Sequence, residues 1–273
     1  MEIESGFVKI GDASLYYEIA GEGQPTVLIH AGVADSRQWN HEFDWFAQDF
    51  RVLRYDLRGY GKSSPVNGEF SHMGDLIAVL DQSGFDQPLV LMGCSMGGAL
   101  AMDFTLAQPS RVKALVMVGS GPSGLSLDVP DHPKEAEAAE AHKAGNLDLV
   151  AELEAQIWFD GMGRTPRQVD QNMRKLALEM NRLALSHAAK QLGKRLADTD
   201  TPAAERLGEL KIPVLVIVGE HDIPYLKAAA DHMLRNVPSA RKVILEDAAH
   251  LPNMDHPEPF QRAVRSFLNE IAE

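Results

Sequence analysis

The stretch "LVLMGCSMGGALAMDF" at residues 89–104 constrains this chain more than any other. It passes from an apolar run through a cluster of small residues around one hydroxyl, Ser95, into a helix-like pattern. A short run of near-continuous apolar residues is how a strand covered on both faces reads. A helix starting one residue past Ser95 leaves a turn so tight that the positions two before and two after the serine must lack bulk. Gly93 and Gly97 meet that demand. "GCSMG" therefore matches G-x-S-x-G in the strand–turn–helix setting the pattern requires. In that setting Ser95 is held in a strained backbone with its oxygen exposed at the carboxyl end of a sheet, over the partial positive charge of a helix starting at Met96. The competing reading, a phosphate-binding turn, lacks the lysine of a P-loop and the spacing of a dinucleotide fingerprint.

The rest of the chain repeats the same alternation. "TVLIH" (26–30), "RVLRYD" (51–56), "ALVMVG" (114–119), "VLVIVG" (214–219) and "KVIL" (242–245) join residues 89–93 as buried-strand candidates. "FVKI" and "LYYEIA", separated by Gly11 and Asp12, read as an antiparallel hairpin at a sheet edge. Helix-like segments at 71–83, 96–108, 224–235 and 257–271 lie between the runs. Strands alternating with helices imply right-handed crossovers and an α/β fold with a doubly wound, mostly parallel sheet of eight strands.

The alternation breaks once. After "GSGPSG" (119–124) come about eighty residues rich in helix formers, up to "DTDTP" (198–202). The expected organisation is a core of residues 1–121 and 201–273, with 122–200 as a helical cap inserted between two strands. Glycine, proline and serine at both joints mark where it leaves and rejoins the core.

Composition narrows the function classes. With 26 basic against 39 acidic residues the formal net charge is −13. Such a surface repels phosphate backbones and anionic headgroups, so neither nucleic acid nor a membrane surface is an expected partner. One cysteine, Cys94, excludes an internal disulfide. No secretory pattern opens "MEIESGFVKI" and no run approaches a membrane span, so a cytoplasmic protein is expected. No metal-ligand spacing is found and no cofactor is expected. The expected partner is a small molecule; a homo-oligomer stays open.

A serine hydroxyl needs a base, and the base needs an orienting group. Of the ten histidines, His250 stands after the last strand and before the final helix, with small Ala248 and Ala249 beside it. The carboxylate should follow another strand end. "VLVIVGEHDIP" offers Asp222, three residues past Gly219 and far enough into the loop to turn back, with Glu220 as competitor. Serine, acid, histidine is then the order along the chain. An oxyanion needs two donors already aimed at it. The amide of Met96 is one; Gly32 in "HAGVADSRQW" is the other, with Val33 as fallback.

Together "HAG" (30–32), "YDLRGYGKS" (55–63), "GCSMGG" (93–98), "GEHD" (219–222) and "AAH" (248–250) make the whole chain resemble an α/β-hydrolase-fold serine hydrolase. The motifs are most similar to those of carboxylesterases and 3-oxoadipate enol-lactonase-like proteins. The resemblance implies Ser95 as nucleophile, Asp222 as acid, His250 as base, and Gly32 and Met96 as oxyanion donors. It implies a structural role for Asp56 and Arg58, and Cys94 pointing away from substrate. Ester hydrolysis through an acyl-enzyme is the expected activity, on small to medium acyl groups. Enol-lactone hydrolysis, carbon–carbon cleavage of a dienoate and cofactor-free perhydrolysis use the same machinery. Dienoate hydrolases usually carry an aromatic residue beside the histidine, where this chain has Leu251. A ligand receptor on the same fold is the non-enzymatic alternative. Trp158, with Phe159 and Met162, could line an acyl pocket, and Arg37, Arg164 or Arg167 could meet a substrate carboxylate.

Overall fold

The computed structural model describes residues 2–190 and 192–271. Strands β1 (Ile3–Ile10) and β2 (Ala13–Ala20) form the antiparallel hairpin around Gly11 and Asp12. Strand β3 (Gln24–Ile29), helix α1 (Asn40–Phe46) and strand β4 (Phe50–Tyr55) follow, then a short strand β5 (Gly68–Phe70) and helix α2 (His72–Gln82). Next come β6 (Leu89–Cys94), α3 (Met96–Ala107) and β7 (Val112–Val118). Helices α4 (Glu135–Lys143), α5 (Leu147–Ala155) and α6 (Gln171–Ala188) and the short strand β8 (Gly193–Arg195) occupy the interruption. The chain returns through β9 (Val214–Gly219), α7 (Pro224–Asn236), β10 (Ala240–Leu245), α8 (Pro252–Asp255) and α9 (Pro257–Glu270).

Eight strands form one sheet in the order β1-β2-β4-β3-β6-β7-β9-β10. The pairings of β1 with β2 and β2 with β4 are antiparallel; the others are parallel. The apolar runs are continuous because neighbouring residues pack into opposite layers. Leu89 and Leu91 join Leu76, Leu80, Phe104 and Met233 from α2, α3 and α7. Val90 and Met92 join Phe43, Phe46, Phe260 and Phe267 from α1 and α9. Each such side chain, fully buried, contributes about 1.5–3 kcal/mol relative to exposure.

Residues 122–200 add no strand to the main sheet. Ala138, Val150, Leu153 and Ile157 pack against Ile223 and Leu226 at the start of α7, while Phe159 and Met180 join the sheet's own core. A second, two-stranded sheet, β5 with β8, ties the end of this insertion to the loop after β4. The sequence reading contained neither of those short strands nor α1.

Parallel strands place their carboxyl ends on one rim, and α3 begins there. A Cβ built on Gly97 would lie 2.5 Å from the carbonyl oxygens of both His30 and Ile29 at the end of β3. That is backbone, which cannot step aside. Gly97→Ala should therefore destabilise the fold by about 3 kcal/mol, as overpacking against fixed neighbours does. Urea denaturation measures it; a loss below about 0.5 kcal/mol, the range of an ordinary surface change, would contradict the close approach.

Candidate active site

Ser95 stands between β6 and α3 with φ 53° and ψ −118°, one of two non-glycine residues at positive φ among those described. Such a conformation stores about 1–3 kcal/mol and persists only where surroundings over-determine it. Here the Ser95 amide donates to the Val118 carbonyl at 2.8 Å. The Ser95 carbonyl accepts from Gly98 and Ala99 amides, both at 3.0 Å, and from Ser120 Oγ at 2.7 Å. The turn is thus pinned to the end of the neighbouring strand, β7.

His250 and Asp222 meet across the next strand ends. Nδ1 of His250 lies 3.2 Å from each Asp222 carboxylate oxygen, and both residues are 1% exposed. Asp222 Oδ1 also accepts from the Ile223 amide at 2.8 Å, which fixes the carboxylate. Glu220 is exposed and turns the other way, accepting from the Asp247 amide at 3.1 Å. The pair sits over the end of β7: a Cβ on Gly119, at φ +50°, would come within 3.0 Å of His250 Nδ1 and 3.3 Å of Asp222 Oδ2. Cys94, the residue before Ser95, places its sulfur 3.7 Å from the His250 carbonyl oxygen. Among the described residues Ser95 Oγ has no hydrogen-bond partner, so the serine–histidine link is open here. Hydroxyls rotate freely about one bond, and such links tighten in the substrate complex. The Cys94 thiol is no rival nucleophile, since burial pushes it up to about 12.

The loop after β3 reaches the same rim. A Cβ on Gly32 would lie 3.7 Å from the Met96 side chain, so the two expected oxyanion residues are neighbours. As the first residue of α3, Met96 carries an amide without an acceptor inside the helix. His30 holds the loop from below: its Nε2 accepts from the Leu57 amide at 3.0 Å, so Nδ1 carries the proton and donates to the Ala31 carbonyl at 2.8 Å.

A buried polar network that the sequence reading missed joins this loop to the histidine loop. The Ala31 amide donates to Gln38 Oε1 at 2.9 Å, and Gln38 Nε2 donates to Asn253 Oδ1 at 3.2 Å. Asn253 Nδ2 returns bonds to the Gln38 carbonyl at 2.8 Å and to Glu42 Oε2 at 3.0 Å. Gln38 and Glu42 are spaced i,i+4, so the polar face was readable. Its partner three residues past His250 was not.

Trp158 lies in a π turn, Gln156–Asp160, with its ring centroid 4.7 Å from that of His250. The turn is anchored by Arg174, whose guanidinium bonds Asp160 at 2.8 Å and Glu152 at 2.6 Å. The cleft that Trp158 shares with Val33, Phe159 and Leu251 holds only about 10 Å³. A larger cavity of about 300 Å³ opens beside Met96 and Tyr60. Arg37 is spent on Asp35 at 2.8 Å, and Arg164 on Asp255 at 2.6 Å. The arginines at the larger cavity are Arg58 and Arg195, neither of which the sequence reading assigned to substrate. Asp56 is structural, accepting from the Ser36 amide at 2.8 Å and the Lys62 amide at 2.7 Å. Among the described residues Glu220, His221 and Asp247 offer potential ligand atoms within 4.8 Å of one another, at the exposed rim and outside the relay.

A family model described as alpha/beta hydrolase fold matches residues 25–257. The chain is 28% identical over 260 residues to the pimeloyl-(acyl-carrier protein) methyl ester esterase of Aliivibrio fischeri, covering 95% of this chain and 99% of that one. It is 30% identical over 286 residues to the 2-hydroxy-6-oxononadienedioate/2-hydroxy-6-oxononatrienedioate hydrolase 1 of Dechloromonas aromatica, covering 97% and 95%. The crystal structure of a hydrolase from Pseudomonas aeruginosa superposes with a TM-score of 0.75 at 27% identity, covering 97% of this chain and 98% of that one.

Burial pushes the Glu42 carboxyl up from 4.5 to about 8. Below 4.5 the folded and unfolded chains both hold the proton, and its contribution to stability is complete. Between 4.5 and 8 the unfolded chain releases the proton first, so stability falls as pH rises, levelling off above 8. Glu42→Gln, which cannot ionise, should remove this slope and raise the melting temperature at pH 9 by more than at pH 5. Parallel melting curves for the two proteins across pH 5–9 would rule the buried neutral carboxyl out.

Proposed function

The chain belongs to the α/β-hydrolase family, and on that premise we propose that it is a serine hydrolase that cleaves carboxylic esters of small to medium acyl groups through an acyl-enzyme. The single observation that carries this reading is the buried Asp222–His250 pair, 3.2 Å apart, beside a strained serine at the head of α3. The full-length likeness to a methyl ester esterase supports it.

In the proposed reaction Ser95 Oγ attacks the ester carbonyl while His250 Nε2 takes its proton. Asp222 stays ionised, keeps the remaining proton on Nδ1 and stabilises the imidazolium. The amides of Gly32 and Met96 receive the oxyanion, each worth about 3–4 kcal/mol in the transition state. The tetrahedral intermediate collapses, His250 protonates the departing alcohol, and the acyl group stays on Ser95. A water activated by His250 then releases the acid and restores the serine. The scheme uses side chains and backbone only. Residues 122–200 act as the cap that bounds the acyl side. Among the described residues no helix is long and apolar enough to cross a membrane, and a cytoplasmic setting belongs to the same proposal.

Two observations favour a second reading, hydrolysis of a carbon–carbon bond in a dienoate. One is the 30% identity to a nonadienedioate hydrolase. The other is the Trp158 ring against His250: the fold supplies from the cap an aromatic neighbour that Leu251 does not.

Ser95→Ala should abolish turnover of 4-nitrophenyl butyrate, lowering kcat by roughly 10⁴-fold or more, with the melting temperature unchanged or higher. Residual activity within tenfold of wild type would remove Ser95 as nucleophile. A dienoate assayed alongside ranks the two readings by kcat/KM.

A further inference from the structure

The cavity of about 300 Å³ beside Met96 sits at the lower end of the size range of small-molecule sites. Met96, the residue after Ser95, is part of its lining. Phe70, Leu192 and the Tyr60 ring supply apolar wall, and its charged side chains are two arginines, Arg58 and Arg195, with His72 and His187 beside them. No carboxylate is among the described residues that line it, in a chain with 39 acidic side chains against 26 basic ones.

The two guanidiniums are held differently. Arg58 gives Nε and Nη2 to Asp75 at 2.9 and 2.6 Å, in a buried fork that leaves Nη1 outside the pair. Its plane lies over the Phe70 ring, with the guanidinium carbon 5.2 Å from the ring centroid. Arg195, the last residue of β8, gives only Nη2 to Asp198, at 2.5 Å, and its side chain is 41% exposed. Asp198 is buried on its side of the pair, at 6% exposed, and among the described residues Arg195 keeps Nε and Nη1 for a ligand carboxylate. The charge of Arg195 reaches into the cavity: burial holds the Tyr60 hydroxyl above its usual range with Arg195 opposing it, and burial together with Arg195 pulls His72 down to about 3. His72 is therefore a neutral imidazole, 3% exposed, and its Nδ1 has no hydrogen-bond partner. A buried polar atom without a partner costs free energy unless something else satisfies the site.

We propose that this cavity is a subsite for a carboxylate-terminated aliphatic chain, with Arg195 as its principal charge partner, Arg58 as the second, and His72 as a polar wall group. The proposal rests on the hydrolase reading above and names its substrate class: half-esters and related acids whose acyl chain ends in a carboxylate. A forked guanidinium matches a carboxylate's two oxygens, and the apolar walls take the methylenes between that end and the reacting carbonyl. The short β5–β8 sheet then has a role beyond packing, since it carries Arg195 to the cavity and aligns it with Phe70.

Binding of two unhydrolysable probes decides the matter: adipic acid monoamide and hexanamide, alike except for the terminal carboxylate. In calorimetric titration at pH 7.5 the monoamide should bind about tenfold tighter or better, a margin that shrinks with salt. Arg195→Gln, at a half-exposed position that should leave the fold intact by melting temperature, should bring the two probes within about twofold. Arg195→Lys should keep part of the preference. Equal affinities in the wild type, no binding of either probe, or a preference that survives Arg195→Gln would overturn the subsite. Neither probe carries an ester, so failure of the Ser95 chemistry would appear in the ester assay and leave this result standing.

Discussion

The amino end of α3 sits against the backbone of β3 with no room for a side chain at Gly97, 2.5 Å from two carbonyl oxygens where a Cβ would fall. That approach sets the position of everything at the rim. Two residues before Gly97, Ser95 takes positive φ, and Met96, the first residue of α3, lies beside Gly32. The local strain is carried by bonds made outside the turn, to Val118 at the end of β7 and to Ser120 just past it. A sheet whose strands are buried on both faces can hold such a turn, because the strand ends cannot relax without opening two apolar layers.

Asp222 and His250 face a different problem. Both are 1% exposed, and a buried carboxylate without partners would be strongly disfavoured. The Ile223 amide and the imidazole together satisfy it. The loops carrying the remaining parts are cross-braced by Gln38, Glu42 and Asn253, which tie the loop after β3 to the segment following His250. Keeping Glu42 neutral makes that brace compatible with its burial. An ionised carboxylate there would stand in an apolar layer with amide donors alone to compensate.

How much of this was legible in the sequence follows from how local each feature is. The strands announced themselves because burial on both faces writes a continuous apolar run, as in residues 89–93 and 214–219. Ser95 was legible because its turn needs glycines at fixed offsets. Asp222 and His250 were legible because a parallel sheet sends its carboxyl ends to one rim. The features that escaped are those built by distant pieces. Phe70 and Arg195 meet through a three-residue strand pair whose partners lie 125 positions apart and show no periodicity. Trp158 reaches His250 only because a π turn, held by Arg174 from α6, shifts its register. Arg37 and Arg164 looked free in sequence, and the fold gave each an acidic partner.

Charge offers the last step. A chain with a net charge of −13 repels anions at long range, which counts against a small acid as ligand. Screening limits that repulsion to about 8 Å at physiological ionic strength. Inside the cavity beside Met96, Arg195 and Arg58 are nearer to any ligand than the surface carboxylates are, and their own partners, Asp198 and Asp75, are not among the cavity's lining residues. For the proposed subsite the guanidinium donors left over from those pairs, not the net charge of the chain, would govern what is held once contact is made. The global charge acts on the approach instead, slowing capture of an anion at low salt without changing which chain end fits. On the two proposals above, the sheet rim would fix the reacting groups, and the two-stranded β5–β8 clip would place the arginine that meets the ligand's charge.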